Sequence, residues 1–273
     1  MERKEKIYHT VMSCIKEHDL MKSGDRVLVA VSGGADSVAL LLVMIQAGYS
    51  CEAVHCNFHL RGEESDRDEA FVRTLCRKCS VRLHVKHFDT VGYADRHGVS
   101  IEMAARDLRY AYFEELREER RMDWIAVAHH RNDNVETLLL NLIRGAGLKG
   151  LTGMSYRNGY VVRPMLDVPR EDVELYLNAK GQDYVTDSTN LETEAVRNKI
   201  RLNVLPMLQT INPGIMETLH ETILHLNDAY TLYGMKLDEL KRRVRHGHRI
   251  DIGELCALPA SPTVLYELLS EYG

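Results

Sequence analysis

Val27-Leu28-Val29-Ala30-Val31, then Ser32-Gly33-Gly34-Ala35-Asp36-Ser37, then Val38-Ala39-Leu40-Leu41-Leu42-Val43-Met44 is the stretch on which the fold turns. A short β-branched run, a Gly pair and a long apolar segment predict strand, tight loop and helix. The glycines let the backbone turn sharply and approach a ligand closely. Amides at the start of a helix, at the positive end of its dipole, make an anion site. Ser32 and Ser37 add hydroxyl donors, and Asp36 can hold a magnesium ion against phosphate oxygens. No Gly-Lys-Ser/Thr ending follows, so this is not the Walker-type loop. Ser32, Gly33, Gly34, Ala35, Asp36 and Ser37 form the candidate phosphate cradle.

Outward from this loop, strands and helices alternate. Strands are expected at 26–31, 51–56, 82–87 and 123–128, and helices at 36–47, 65–79, 100–119 and 133–145. A leading helix within 1–22 carries Ile7, Val11, Cys14 and Ile15 at helical spacing. Strands separated by helices predict an α/β fold, a doubly wound parallel sheet covered on both faces. Ligands in such sheets sit outside the carboxyl ends of the strands. Beyond residue 145 the pattern changes to a glycine-marked passage and a short edge segment, Val161-Val162-Arg163-Pro164. A helix then starts at Pro169, and a long one follows Asn212-Pro213-Gly214, with Met216, Leu219, Ile223, Leu226 and Tyr230 on one face. The tail, 262–273, leaves Val264, Leu265, Leu268 and Leu269 without an evident partner. The expected organisation is a domain over 1–210 and a helical extension over 211–273 that begins a second domain whose remainder is absent.

The chain has 273 residues, 45% hydrophobic and 27% charged, enough for one substantial domain and a smaller piece. No apolar run is long enough to span a bilayer, and the charged start, Met1-Glu2-Arg3-Lys4-Glu5-Lys6, lacks a signal-peptide core. A cytoplasmic location with no membrane partner follows by default. The net charge of −5 argues against bulk nucleic-acid binding but leaves room for local basic patches. Six cysteines are scattered; only Cys76 and Cys79 are closely spaced, with no second pair to complete a zinc site.

His129-His130-Arg131-Asn132-Asp133-Asn134-Val135-Glu136-Thr137 closes one strand and opens a helix. Capping explains Asp133 and Glu136 as readily as catalysis does. Two histidines beside Asp133 at a strand's carboxyl end, facing a phosphate loop, point instead to function. In Val54-His55-Cys56-Asn57-Phe58-His59-Leu60-Arg61-Gly62, His55 and Asn57 alternate outward and Arg61 offers a fork for phosphate. Glu102, Arg106 and Arg109 share one helical face, where solvated charge pairing is the plain explanation. Asp187-Ser188-Thr189-Asn190 precedes Arg197, Lys199 and Arg201, a basic patch suited to phosphates. Lys241-Arg242-Arg243 reads as a solvated helix end.

Taken singly, SGGADS looks like the pyrophosphate loop of the N-type ATP pyrophosphatases, which cleave ATP between its α and β phosphates. Taken with HCNFHLRG, the E-x-x-x-R-x-x-R-Y of Glu102 to Tyr110, HHRNDNVETLLLNLIRGAGLKGL, RPM at Arg163, DSTN and RNKIRLNVLP, the chain resembles the tRNA(Ile)-lysidine synthetases over about 24–208. Asn132 and Asn134 depart from the family's HHxDDQxET pattern, which leaves Asp133 as the retained carboxylate. The resemblance implies ATP and Mg2+, with tRNA(Ile) bearing a CAU anticodon and L-lysine as partners, and leaves a homodimer open. Cytidine O2 at the wobble position would attack the α-phosphorus and release pyrophosphate; the lysine amine would then attack C2 and release AMP. Asp36, Asp133, Glu136 and His130 are the implied catalytic set, with Asp36 and Asp133 on the metal. His55 and Arg106 join the loop in binding ATP, and Arg61, Arg109, Arg197, Lys199 and Arg201 serve tRNA phosphates. On the same reading these residues alone bind ATP and hold tRNA weakly. Two rival readings are a tRNA thiolase, which needs reactive or cluster-binding cysteines, and a non-enzymatic ATP-binding module. A glutamine-dependent synthetase lacks room for its glutaminase.

Overall fold

The computed structural model describes residues 3–186, 196–247 and 249–271. A leading helix α1 (Arg3–Glu17) precedes β1 (Arg26–Ala30), α2 (Ala35–Gln46), β2 (Ser50–Asn57), α3 (Glu63–Lys78) and β3 (Arg82–His87). There follow α4 (Thr90–His97), α5 (Ile101–Arg120), β4 (Trp124–Ala126), α6 (Arg131–Ile143), α7 (Leu148–Leu151), β5 (Arg157–Asn158), β6 (Val161–Val162) and α8 (Arg170–Lys180). The strands form one sheet in the order β3-β2-β1-β4-β6-β5, parallel except for β5. The doubly wound parallel architecture is as the alternation predicts. The order reverses between β1 and β4, so their carboxyl ends flank the crevice where a ligand belongs.

The continuous apolar run of β1 makes it the centre of the sheet. Val27 and Val29 point into one core with Ile7 and Val11 of α1, Leu40 and Met44 of α2, and Val173 and Tyr176 of α8. Leu28, one residue out of phase, points to the other face, with Phe113 and Leu116 of α5. Burial on both faces is why the strand shows no polar alternation.

Three features differ from expectation. The Val161–Pro164 segment is not the sheet edge, because β6 pairs with both β4 and β5. The Asn158-Gly159 hairpin signal marks that extra strand, and Gly159 supplies the positive φ of 57° that the turn requires. Helix α4 lies where none was expected, capped by Asp89 and closed by Gly98 at φ 62°.

The third difference is the tail. After α9 (Val196–Lys199), a π turn at Ile200–Val204 and α10 (Leu205–Ile211), the long α11 (Ile215–Val244) leads through β7 (Arg245–His246) and β8 (Arg249–Ile250) to α12 (Ile252–Cys256) and α13 (Ser261–Leu269). The β7–β8 turn folds α13 back, burying Val264 and Leu268 against Leu237, Val244, Leu255 and Leu258. The final helix thus finds its partner inside the chain, and only Leu269 of its apolar face is exposed. The expected Asp187-Ser188-Thr189-Asn190 group lies outside the described residues. Among those described, no helix is long and apolar enough to cross a membrane.

Candidate active site at the sheet's switch point

Chain leaving β1 turns at Gly33, whose φ is +100°. The Ser37 hydroxyl staples the loop: it accepts from the amides of Ser32 (3.1 Å) and Gly33 (3.2 Å) and donates to the Gly34 carbonyl (2.9 Å). Val185 roofs the turn, its amide donating to the Gly33 carbonyl at 3.0 Å, and a Cβ on Gly33 would stand 2.8 Å from a Val185 methyl. Gly34 begins α2 with no side-chain cap. The first-turn amides, which have no intrahelical partner, are therefore open to an external anion.

Asp36 projects from that first turn towards α6. Its Oδ2 accepts a hydrogen bond from Arg170, and its Oδ1 is buried with no hydrogen bond, 3.6 Å from His130 Nε2. His130 is the N-cap of α6: its Nδ1 accepts from the Asp133 amide at 3.4 Å, while Asp133 Oδ2 accepts from the His130 amide at 3.0 Å. A neutral imidazole that accepts at Nδ1 carries its proton on Nε2, between Asp36 and Asp133, which is also 3.6 Å away. One imidazole thus lies between carboxylates from two helices. Burial opposes ionisation of Asp133, but His130, His129 and the His130 amide outweigh it and hold the carboxyl below its usual range.

Glu136, one turn on, is 1% exposed. Burial pushes its carboxyl up against the pull of Arg201, which grips it with two bonds of 2.7 and 3.0 Å. Arg197 Nε approaches it to 3.4 Å, and Arg201 reaches Asp133 Oδ1 at 3.5 Å. The arginines at 197 and 201 therefore turn inward onto carboxylates, and Lys199 alone of the three is exposed. They do not form one outward patch.

His129 accepts from Arg163 Nε at 3.3 Å. Burial first, and then the charges of Arg163 and Arg197, push its pKa down to about 4, so it is neutral at pH 7. Its unfolded value lies near 6.5, so between these values the unfolded chain binds the proton that the folded chain refuses, and stability falls on acidification. His129→Gln, which stays neutral, should lose markedly less stability between pH 6.5 and 4, measured by urea unfolding across a pH series. An identical acid limb in the variant would show that His129 is not responsible.

His55 sits at the end of β2, 4% exposed, its Nδ1 donating to the Val31 carbonyl at 2.8 Å; burial lowers its pKa. The loop, Asp36, His130, Asp133, Glu136, Arg197 and Arg201 are thus brought together, with His55 beside the strand that feeds them. The remaining phosphate candidates are engaged by neighbouring side chains, and the charge of Arg106 is felt at Arg163. Arg61 pairs with Asp68 at 2.9 Å, Arg109 lies over the Phe58 ring, and the exposed Arg106 lies over Tyr110.

Two arginines escaped the sequence reading as site residues. Arg163 is 6% exposed and donates to the Ser155 carbonyl at 2.7 Å. Arg170 bridges Asp36 and Glu174. A signal for Arg170 existed: a cation in the first turn of a helix opposes the dipole and needs a reason to be there. The two asparagines at 132 and 134 have their own duties. Asn132 accepts from the Arg170 amide at 3.1 Å, and Asn134 accepts from the Met154 amide at 2.7 Å.

An uncapped, lysine-free anion loop at a parallel sheet's switch point, faced by a carboxylate and histidine cluster, defines the PP-loop class. The PP-loop domain model matches residues 4–208, and the chain belongs to that family. Its curated relatives include the tRNA(Ile)-lysidine synthases of Bacteroides thetaiotaomicron (54% identical over 98% of this chain and 63% of the relative), Parabacteroides distasonis (52%, 97% and 61%) and Porphyromonas gingivalis (48%, 96% and 58%). The chain spans about three fifths of the length of these relatives. Among solved structures the fold is shared with the U34-tRNA thiolase NcsA of Methanococcus maripaludis, at a TM-score of 0.65 and 17% identity over 81% of this chain and 79% of that one. The NMN synthetase of Francisella tularensis gives 0.51 and 10% over 82% and 94%.

Proposed function

We propose that this chain carries the catalytic site of a tRNA(Ile)-lysidine synthase, joining lysine to C2 of a wobble cytidine at the expense of ATP. The observation that carries the reading is the open amide loop of 32–37, whose Asp36 faces His130 with Asp133 beside it, together with the names of the 48–54% identical relatives. The α2 amides and the Ser32 hydroxyl would hold the pyrophosphate that leaves when cytidine O2 attacks the α-phosphorus. Arg170, now bound to Asp36, and Arg163 stand ready as further cations for developing phosphate charge. The bare, buried Oδ1 of Asp36 suits a hard cation. Mg2+ held there with Asp133 would neutralise phosphate charge when bound.

In the second step Asp133, ionised, would hold the lysine ammonium, and His130, whose Nε2 lies 3.6 Å from that carboxylate, offers a route for the proton. Glu136 is clasped by two arginines, so it fits the role of aiming them better than that of touching lysine. An anticodon-loop base leaves its stack at little cost, which makes a wobble cytidine an accessible substrate. Lys199 remains for the tRNA backbone. Pyrophosphate release should require ATP and a CAU-anticodon tRNA, lysine should be needed only to sustain it beyond the first adenylation, and omission of tRNA should stop it. Release that ignores both tRNA and lysine would overturn the reading.

A thiolase needs a reactive thiol pair at the site, and the described residues place none there. Cys76 and Cys79 close α3, with Cys76 buried in the core one turn beyond Val72, which packs against Gly33, so neither presents a free thiolate to the loop. Burial pushes Cys76 up to about 11 and raises Cys79 as well, which keeps both as inert thiols. Alanine at both positions should leave turnover within about twofold of the parent, and a loss above tenfold would revive the sulfur-transfer reading.

A further inference from the structure

Away from the switch point, a second group of chemically active side chains converges beneath α1. Cys14 and His18 stand one turn apart on α1 and the residue after it, on the same side. Asp167, in the segment between β6 and α8, completes a set whose ligand atoms all lie within 4.8 Å of one another. The Cys14 thiol donates to the Arg163 carbonyl at 4.0 Å, and neighbours steady the other two. The Tyr156 hydroxyl donates to Asp167 Oδ1 at 2.7 Å, and the Tyr156 ring stacks on the His18 imidazole with centroids 3.5 Å apart. His220 of α11 brings Nε2 to 3.7 Å from Asp167 Oδ1, and its buried Nδ1 has no hydrogen-bond partner. The Asp167 backbone carbonyl is held by Arg131 at 2.8 Å.

We propose that Cys14, His18 and Asp167 form a binding site for a zinc-like divalent metal ion. One thiolate, one imidazole and one carboxylate are zinc's preferred donors, and a sulfur ligand disfavours magnesium and calcium. Zinc bonds of about 2.0–2.3 Å put tetrahedral donors about 3.3–3.8 Å apart, a small rotamer adjustment from the spacing seen. A carboxylate has about four lone-pair sites, so Tyr156 at one oxygen leaves room for the metal. Tyr156 then acts as the outer partner that orients a ligating carboxylate. The fourth position is left to water, with His220 Nε2 3.7 Å from Asp167 Oδ1. The ion would pin α1 to the segment that carries Arg163 and leads into Arg170, so its role is to brace the wall of the crevice. The donor atoms gain a metal and the Cys14 thiol releases one proton on binding; no redox change is involved.

The test is titration of the chelator-treated full chain with Co2+ alone and then Zn2+ alone. One equivalent of cobalt should produce a thiolate charge-transfer band in the near ultraviolet, which zinc displaces, and zinc should raise the melting temperature. Cys14→Ser should abolish the band. Because Cys14 is buried, the exposed His18→Gln is the variant that leaves folding undisturbed, and it should weaken cobalt affinity about 10-fold or more, while Tyr156→Phe should weaken it about 10–100-fold. The Cys76→Ser, Cys79→Ser double variant should retain the band. Absence of stoichiometric binding, a band that survives Cys14→Ser, or one that depends on Cys76 and Cys79, would overturn the assignment.

Discussion

Asp36→Ala should cut tRNA- and lysine-dependent pyrophosphate release by roughly 10²–10³-fold or more, the scale of losing one principal electrostatic group in an active site. Asp36 is the carboxylate that reaches from the phosphate loop to both His130 and Arg170. Its removal takes away the bare Oδ1 proposed for the metal and frees Arg170 to collapse onto Glu174, already 3.1 Å away. Stability should hardly change, because Arg170 keeps that second partner and Asp36 is partly exposed. A cost within about 0.5 kcal/mol corresponds to a melting shift of no more than about 2 °C for a domain of this size. Turnover at the parental rate in a folded Asp36→Ala protein would remove this residue from the mechanism.

Arg201→Met should be the most destabilising single change at the site. Glu136 is almost wholly buried, and Arg201 supplies its two-bond partner. Removing one member of a buried pair typically costs about 3–5 kcal/mol, since a charge is left without compensation. Arg197, 3.4 Å away, softens this to roughly 2–4 kcal/mol. The pH dependence identifies the cause. Burial already raises the Glu136 carboxyl in the parent, and loss of Arg201 raises it further. The folded variant then binds this proton more readily than the unfolded chain, so stability rises as pH falls from neutrality towards the unfolded value near 4.3. Arg201→Met should therefore recover relative to the parent between pH 7.5 and 5 in urea unfolding. A deficit that stays constant with pH would locate the damage in packing instead.

The sheet was legible because its signals were strong and local. β1 is apolar at every position after Arg26, as a strand covered on both faces must be, and Gly33 supplies the positive φ of the turn that follows. Short elements were harder: β5 and β6 span two residues each, and α4 holds Gly92 and little apolar surface. Their hairpin glycine and their caps were the only marks.

The site was half legible. Residues next to the loop or on the α6 cap announced themselves by type and position, whereas Arg163 and Arg170 matter through partners more than thirty residues away in sequence. The same limit governed Arg197 and Arg201. A basic run looks like a surface patch until folding shows that Glu136 and Asp133 lie beneath it. The final helix was misjudged for a related reason, since its partner is the far end of α11, brought alongside by a reversal at Gly247 with φ 63°.

If the switch-point site works as proposed, ATP is cleaved between its α and β phosphates while lysine is joined to cytidine. The direct measurement is to incubate the chain with ATP, Mg2+, lysine and CAU-anticodon tRNA at low salt, digest the RNA to nucleosides and analyse all products by mass spectrometry. AMP, pyrophosphate and a lysine-bearing cytidine from the wobble position should appear in equal amounts. ADP and phosphate, or a modified base carrying sulfur in place of lysine, would contradict the proposal.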